Sequence, residues 1–327
     1  MVFTVLFTVG CRRIDFAGDT GDLVLHLSVG DVETKASMQE GEQFKNLLVV
    51  TVDADNVTQR QYVELGSSSD YTSVVIEGLN PGECQVYAFA NIDHKAWLAA
   101  NNDIEKIKSG TAVDADKLLK ILTGTSVPDP VPDSGAMLLT GQQRVTVTSG
   151  EKNIGEVKLY RPVARFKVSI HNNTKNSVTL NSLSFSNFNA DRTYLLPHLD
   201  GSGAPVIPSD TDHRSLPSFA GSTTVGAGKT ETVYTTLLYE NKATDEYRMM
   251  ASVSLGDQEL NFGPSGALLR YIDPETSQVS PVTYIRRNQE MTVVLNIYQG
   301  VINADFNIQV ISTTWAGDGK ESTHTFE

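Results

Sequence analysis

The chain has 327 residues, with 26 Lys and Arg against 39 Asp and Glu, for a formal net charge of −13; without a cationic excess to displace counterions from phosphates, nucleic acid is excluded as a natural partner. At about 150 residues per domain the length is that of two domains, and 40% apolar with 20% charged residues is the balance of a folded chain rather than a disordered one. Two cysteines are too few for a disulfide-stapled scaffold.

The first ten residues, MVFTVLFTVG, form an apolar run that ends at Cys11 and is followed by Arg12 and Arg13. A bilayer-spanning helix needs about 20 apolar residues, so this run is too short to cross. It resembles the end of a secretory signal peptide, with the small Gly10 before the break. Thr8-Val9-Gly10-Cys11 also resembles a bacterial lipobox, in which the cysteine is acylated and becomes the new N-terminus, so Cys11 is the expected lipidation site and residues 1–11 the signal segment. Each buried acyl methylene contributes about 0.8 kcal/mol, and more than one chain holds a protein stably on a membrane. Alternating Val and Phe would also fit a buried first strand, which strand pattern alone does not separate from the preferred lipidated signal.

Beyond Cys11 the dominant signal is alternation. Leu23, Leu25, Leu27 and Val29 fall on one face of a half-buried strand. Asn46 to Asp53 is a nearly continuous apolar run of strand length. Tyr71 to Glu77 leads into Gly78-Leu79-Asn80-Pro81-Gly82, where Pro presets φ and Gly accepts positive φ, so a hairpin into Gln85 to Asn91 is expected. Cys84, at the start of that strand, reads as a small buried core thiol.

Between His94 and Gly124 the period changes. Asp114 caps, Leu118, Leu119, Ile121 and Leu122 share a side, and Gly124 terminates, which predicts a short helical insertion. Pro128, Pro130 and Pro132 then mark an exposed connector. Gln143 to Thr148 and Ile154 to Leu159 read as a second hairpin around Ser149 to Asn153. A boundary is most economical at Tyr160-Arg161-Pro162, dividing residues 12–160 from 161–327. The second half continues the strand grammar with Arg165 to His171, Ser177 to Phe185, Glu231 to Tyr239, Tyr247 to Leu255, Glu259 to Phe262, Glu290 to Tyr298 and Phe306 to Ser312. Asn187 to Lys229 is loop-rich. The whole predicts an all-β protein, two tandem antiparallel β-sandwiches with a helical insertion in the first.

No catalytic or metal signature stands out, and no enzyme activity or cofactor is expected. Gly226 to Thr230 ends like a phosphate-binding loop, but Thr223 stands where that motif needs its first glycine. Asp53, Asp55 and Glu64 have the spacing of a calcium loop, yet Val57 and Thr58 occupy positions that need an oxygen ligand and a glycine. The six histidines show no paired spacing. Trp97 and Trp315 have the surface to stack on sugars, although aromatic residues in apolar runs more often pack in cores.

Three segments carry a resemblance. They are GLNPGECQVYAFANID at Gly78 to Asp93, YRPVARFKV at Tyr160 to Val168, and Arg287-Asn288 followed by Met291 to Ile297, with Phe306-x-Ile308-x-Val310 and Trp315 beyond it. In this order they resemble the Bacteroidales fimbrillin family, the type V pilins with their accessory and anchor subunits. The resemblance implies transthyretin-like sandwich domains, export as a lipoprotein to the outer membrane, and cleavage by a trypsin-like protease in the loop behind the first strand. Lys35-Ala36 is the matching bond, in a polar loop of the kind where nicking concentrates. It further implies that loss of the strand bearing Leu23, Leu25, Leu27 and Val29 opens a groove, filled by a strand from another pilin subunit to build an extracellular fimbria. The donor candidate is Ser312 to Glu327, with Thr323, Thr325 and Phe326 as its marker residues; its length, at about 3.3 Å per residue, reaches ~50 Å. Stalk, tip and uncleaved anchor are alternatives within the family, with a host or bacterial glycan or protein as receptor. Outside it stands a monomeric surface lipoprotein that binds glycans through Trp97 and the Asn187 to Lys229 loops.

Overall fold

A computed structural model of the chain describes residues 20–29, 44–52, 58–69, 71–91, 120, 137–186, 189–202, 204–209, 211, 213–214, 219, 221–242, 247–272, 278–298 and 308–314. Among these every regular element is a strand, and the strands fall into two sets. The first comprises β1 (Gly21–Val29), β2 (Phe44–Val52), β3 (Thr58–Ser69), β4 (Tyr71–Leu79), β5 (Gly82–Ala90), β6 (Leu139–Val147) and β7 (Lys152–Leu159). They form a 3-stranded sheet in the order β4-β1-β7 and a 4-stranded sheet in the order β3-β2-β5-β6. The facing sides enclose one core, to which β1 contributes Leu23, Leu25, Leu27 and Val29 and β2 contributes Leu47 and Val49.

The second set begins with β8 (Val163–Asn173), β9 (Val178–Ser186), β10 (Asn189–Ala190), β11 (His213–Arg214), β12 (Thr223–Val225), β13 (Thr230–Tyr239) and β14 (Asn241–Lys242). It continues with β15 (Arg248–Leu255), β16 (Gln258–Leu268), β17 (Arg270–Ile272), β18 (Val279–Pro281), β19 (Tyr284–Ile285), β20 (Gln289–Tyr298) and β21 (Ile308–Thr314). Here a 4-stranded sheet β12-β9-β15-β16 faces a 6-stranded sheet β13-β8-β20-β21-β17-β18, and β10-β11 and β14-β19 are small pairs. The topology of the first set recurs: β8 lies between an antiparallel β13 and a parallel β20, as β1 lies between an antiparallel β4 and a parallel β7. The second core packs Phe166, Val168 and Ile170 of β8 against Leu183 and Phe185 of β9, with Phe166 and Phe185 edge-to-face at 5.1 Å.

The continuous apolar run of β2 has a direct cause. Phe44, Leu47 and Val49 face the first core, while Leu48, Val50 and Val52, with Tyr87 and Phe89 of β5, face a third cluster completed by Val163, Leu195, Leu196, Leu237 and Tyr239 from the second half of the chain. A strand covered on both faces has no solvent side to make polar.

Two expected hairpins are sheet-to-sheet crossings instead. β4 pairs with β1 whereas β5 pairs with β2 and β6, so Gly78 to Gly82 carries the chain from one sheet to the other. Gly78 (φ 72°) and Gly82 (φ 125°) supply the reversal, but the turn does not choose the pairing. The same holds at Ser149 to Asn153, since β6 belongs to the larger sheet and β7 to the smaller. The partner of β2 beside β5 is β3, a polar strand that the sequence pattern did not reveal. The expected helix at 114–124 lies outside the described residues apart from Lys120, which sits in a turn. In the loop-rich stretch, β10 pairs with β11 and β12 with β9.

Crossing between sheets brings β6 close to β7. A Cβ on Gly141 would stand 2.3 Å from the Lys158 carbonyl oxygen and 2.9 Å from Leu159 Cδ2, so backbone would have to move to admit it. Gly141→Ala is expected to destabilise the fold by about 1–3 kcal/mol in urea unfolding; an unchanged midpoint would mean that the crossing yields freely.

Candidate functional site

The site suggested by the sequence is a strand and the slot that holds it. In β1 the inward residues Leu23, Leu25 and Leu27 are 0% exposed and Val29 is 5% exposed. Four buried apolar side chains at roughly 1.5–3 kcal/mol each give a gross contribution of about 6–12 kcal/mol before ordering costs. On one side β1 runs antiparallel to β4, from Leu23 against Ile76 to Ser28 against Tyr71. On the other it runs parallel to β7, from Asp22 against Lys152 to Val29 against Leu159. Among the described strands, β4 and β7 pair with nothing but β1. Without it both strands lose their backbone partner at once, and the slot left would accept an extended segment antiparallel to β4 and parallel to β7.

Side chains fix the Asp22 end of the slot and one point along it, at His26. Asp22 Oδ1 accepts from the Gly78 amide at 3.2 Å, Asn153 Nδ2 donates to the Asp22 carbonyl at 3.2 Å, and His26 Nδ1 lies 2.8 Å from Ser73 Oγ. Asn153 Oδ1 accepts from the Thr148 amide at 3.0 Å, which binds the β6–β7 crossing to the same end.

A second cluster, whose contacts no local pattern indicates, joins the two halves. Arg287 is buried and donates through Nε (3.1 Å) and Nη2 (3.0 Å) to Glu240 Oε1. The same guanidinium donates to the carbonyls of Leu195 (2.7 Å) and Tyr194 (2.8 Å), while Gln142 Nε2 of β6 donates to the Pro197 carbonyl at 3.2 Å. Residues 194–197 are thereby tied to both sets of strands. Beside them Arg161 Nη1 donates to Asn288 Oδ1 at 2.7 Å, so two of the segments that carried the family resemblance meet in space. Arg287 could not be found locally, because its partners lie 47, 92 and 93 residues away.

Of the expected site residues, Leu23, Leu25, Leu27 and Val29 are brought together on β1. Cys11, Lys35, Ala36, Thr323, Thr325 and Phe326 lie outside the described residues, as do Trp97 and Trp315. The start of the donor candidate, Ser312 to Thr314, forms the end of β21 and pairs with β20 of its own sheet, Met291 against Ser312 and Gln289 against Thr314. Within Asn187 to Lys229, Leu195 and Leu196 are fully buried, so that part of the region is interior rather than a free loop. Cys84 is buried in the first core. Among the described residues no cluster of His, Cys, Asp and Glu could hold a metal, and no helix is long and apolar enough to cross a membrane.

Residues 18–316 match the family model of fimbrillin-A associated anchor proteins Mfa1 and Mfa2. The fold is similar to that of a candidate cell-adhesion protein from Parabacteroides distasonis, at 14% identity over 93% of this chain and 99% of the other with a TM-score of 0.57. It is also similar to the tip fimbrial protein Mfa3 of Porphyromonas gingivalis with a C-terminal truncation, at 14% identity over 90% and 99% with a TM-score of 0.55. A fimbrilin of Porphyromonas gingivalis follows at 11% identity over 92% and 99% with a TM-score of 0.52. No protein with a curated description matches the sequence.

Leu25→Ala is expected to cost about 2–5 kcal/mol in urea unfolding. Glu240→Leu, which strands a buried guanidinium, is expected to cost about 3–5 kcal/mol, part of it recovered in the Arg287→Met/Glu240→Leu double variant. A cost below about 1 kcal/mol for either single change, the ordinary range for an exposed site, would contradict the packing described.

Proposed function

The chain belongs to the family of fimbrillin-A associated anchor proteins, and from this we propose that it is a structural, non-enzymatic subunit of a cell-surface fimbria that is exported as a lipoprotein and assembled by exchange of β1. In this reading residues 1–11 are the export signal, Cys11 carries the lipid, residues 12–160 form the acceptor domain and residues 161–327 the second domain. A trypsin-like protease cuts between Lys35 and Ala36, β1 leaves, and a strand of another subunit takes its place. The precursor resides on the outer membrane and the assembled subunit in the extracellular fimbria.

The observation that carries the reading is the position of β1. It is central in its sheet, it is the one described partner of both β4 and β7, and it supplies a row of buried apolar side chains at period two. An incoming strand with apolar residues at four alternate positions would restore both ladders and the core together. Because β21 holds Ser312 to Thr314 in their own sheet, the donor segment of this chain is the stretch from Trp315 through Thr323, Thr325 and Phe326. At about 3.3 Å per residue it reaches ~40 Å. A second reading keeps β1 in place, with the lipidated chain as the fimbrial anchor, and the family description favours it.

The experiment is limited proteolysis of protein beginning at Arg12 with a trypsin-like enzyme, following intact mass and oligomer size together. The exchange reading expects a single cut after Lys35 followed by SDS-resistant ladders. Resistance at Lys35 would move the assignment to the anchor, and a clean cut that leaves a stable monomer would remove strand exchange altogether.

A further inference from the structure

The outer edge of β7 carries a self-complementary pattern. Its inward residues are Gly155, Val157 and Leu159, while Lys152, Ile154, Glu156 and Lys158 are exposed, Ile154 to 67%. The Asp22 amide donates to the Glu151 carbonyl at 3.1 Å, and β1 and β7 run parallel with Asp22 against Lys152. In such a ladder the backbone groups of the odd residues of β7 point to β1, and those of Lys152, Ile154, Glu156 and Lys158 point to the opposite edge. The far end of that edge is closed by β6, where Gly141 lies against the Lys158 carbonyl and Thr140 bonds Tyr160, and no described strand pairs with it at Lys152, Ile154 and Glu156. The corresponding edge in the second half, that of β20, is covered by β21.

Charges on an edge strand ordinarily deter pairing, but this order of charges selects one partner. In an antiparallel pair of β7 strands with its two-fold axis at Ile154, each Lys152 opposes Glu156 of the second copy and Ile154 opposes Ile154. Moving the axis to residue 155 sets Lys152 against Lys158, and moving it to residue 156 sets Glu156 against itself, both unfavourable like-charge pairs. Moving it to residue 153 leaves every charge unpaired. The apolar row on the same face also becomes continuous. Ile154 is in register with Val24 and Val24 with Val75, and Val75 is 44% exposed. Joining Ile154 to its counterpart extends that row across both copies, and the outer charges alternate as Asp22, Lys152, then Glu156 of the second copy.

We propose that the outer edge of β7 is an interface for a second copy of this chain, formed by antiparallel pairing about Ile154 that merges two β4-β1-β7 sheets into one. The interface uses the uncut chain and is independent of whether β1 is exchanged.

Sedimentation equilibrium of the uncut protein beginning at Arg12 tests it, with circular dichroism to verify that each variant is folded. The wild type is expected to dimerise. Lys152→Glu and Glu156→Lys should each weaken the dimer about tenfold, since each converts two attractive cross-strand pairs into repulsive ones. An equimolar mixture of the two variants should associate as tightly as the wild type, because every 152–156 pair in the heterodimer is again of opposite charge. Ile154→Cys should form an intermolecular disulfide on mild oxidation, as directly opposed residues of a hydrogen-bonded pair lie at about 5.5 Å between Cα atoms. A wild-type chain that remains monomeric to about 1 mM, or a dimer that neither charge reversal weakens, would overturn the proposal. So would a mixture that associates no better than its components.

Discussion

Three strands share one set of hydrogen bonds in the smaller sheet of the first half, and the middle one is β1. β4 and β7 approach it from opposite sides and with opposite polarity, and neither has another described partner. The backbone ladder and the apolar core therefore depend on the same nine residues. Burial of Leu23, Leu25 and Leu27 on the inside and pairing on both edges make the strand costly to lose. In the proposed exchange, most of what it supplies, backbone pairing and a period-two apolar row, is generic to an extended segment, while Asp22 and His26 add side-chain contacts to Gly78 and Ser73. A strand whose contribution is backbone pairing and period-two packing can come from another chain; one held by specific polar contacts throughout its length could not.

The second half repeats the arrangement with a difference. β8 occupies the place of β1, yet its sheet is extended beyond β20 by β21, β17 and β18. It also anchors a polar cluster: Arg165 and Lys167 of β8 reach Glu290 of β20 at 3.3 and 2.9 Å. Where the halves meet, Arg287 and Glu240 hold residues 194–197 against β6, over a third apolar cluster drawn from both sides. Buried ion pairs contribute little net stability compared with apolar packing, but they penalise any arrangement that leaves one partner alone. The junction uses the other face of β2 and β5, so that loss of β1 would open the smaller sheet of the first half while the junction keeps its own contacts.

What was legible in the sequence follows from how local each signal is. β1 could be read because one face is buried and one exposed, and alternation is the direct imprint of that. β2 could be read as a strand, and its lack of alternation reflects the cover on its second face, although what supplies the cover was not in the pattern. β3 was invisible, since a polar edge strand has little to bury. The reversals at Gly78 to Gly82 and Ser149 to Asn153 were visible through Pro and Gly, but a turn fixes direction and not the sheet in which the next strand pairs. Arg287 was marked by the family resemblance, but its role was not legible, because its partners are distant in the chain. Lys152, Ile154 and Glu156 alternate as on any half-exposed strand, and only the backbone ladder shows which edge they occupy. The family resemblance drew together Tyr160 to Val168 and Arg287-Asn288, and the contact between Arg161 and Asn288 gives that pairing a physical basis.

In the proposed function β1 is the removable partner of β4 and β7. The most direct measurement introduces a specific protease site between residues 30 and 43, removes the N-terminal fragment after cutting, and follows amide hydrogen exchange in β4 and β7 before and after a synthetic peptide of residues 20–30 is added. The account predicts that both strands lose protection when β1 leaves and regain it with the peptide, and that a peptide carrying Leu25→Asp fails to restore it. Protection of β4 and β7 that survives removal of β1 unchanged would contradict the account.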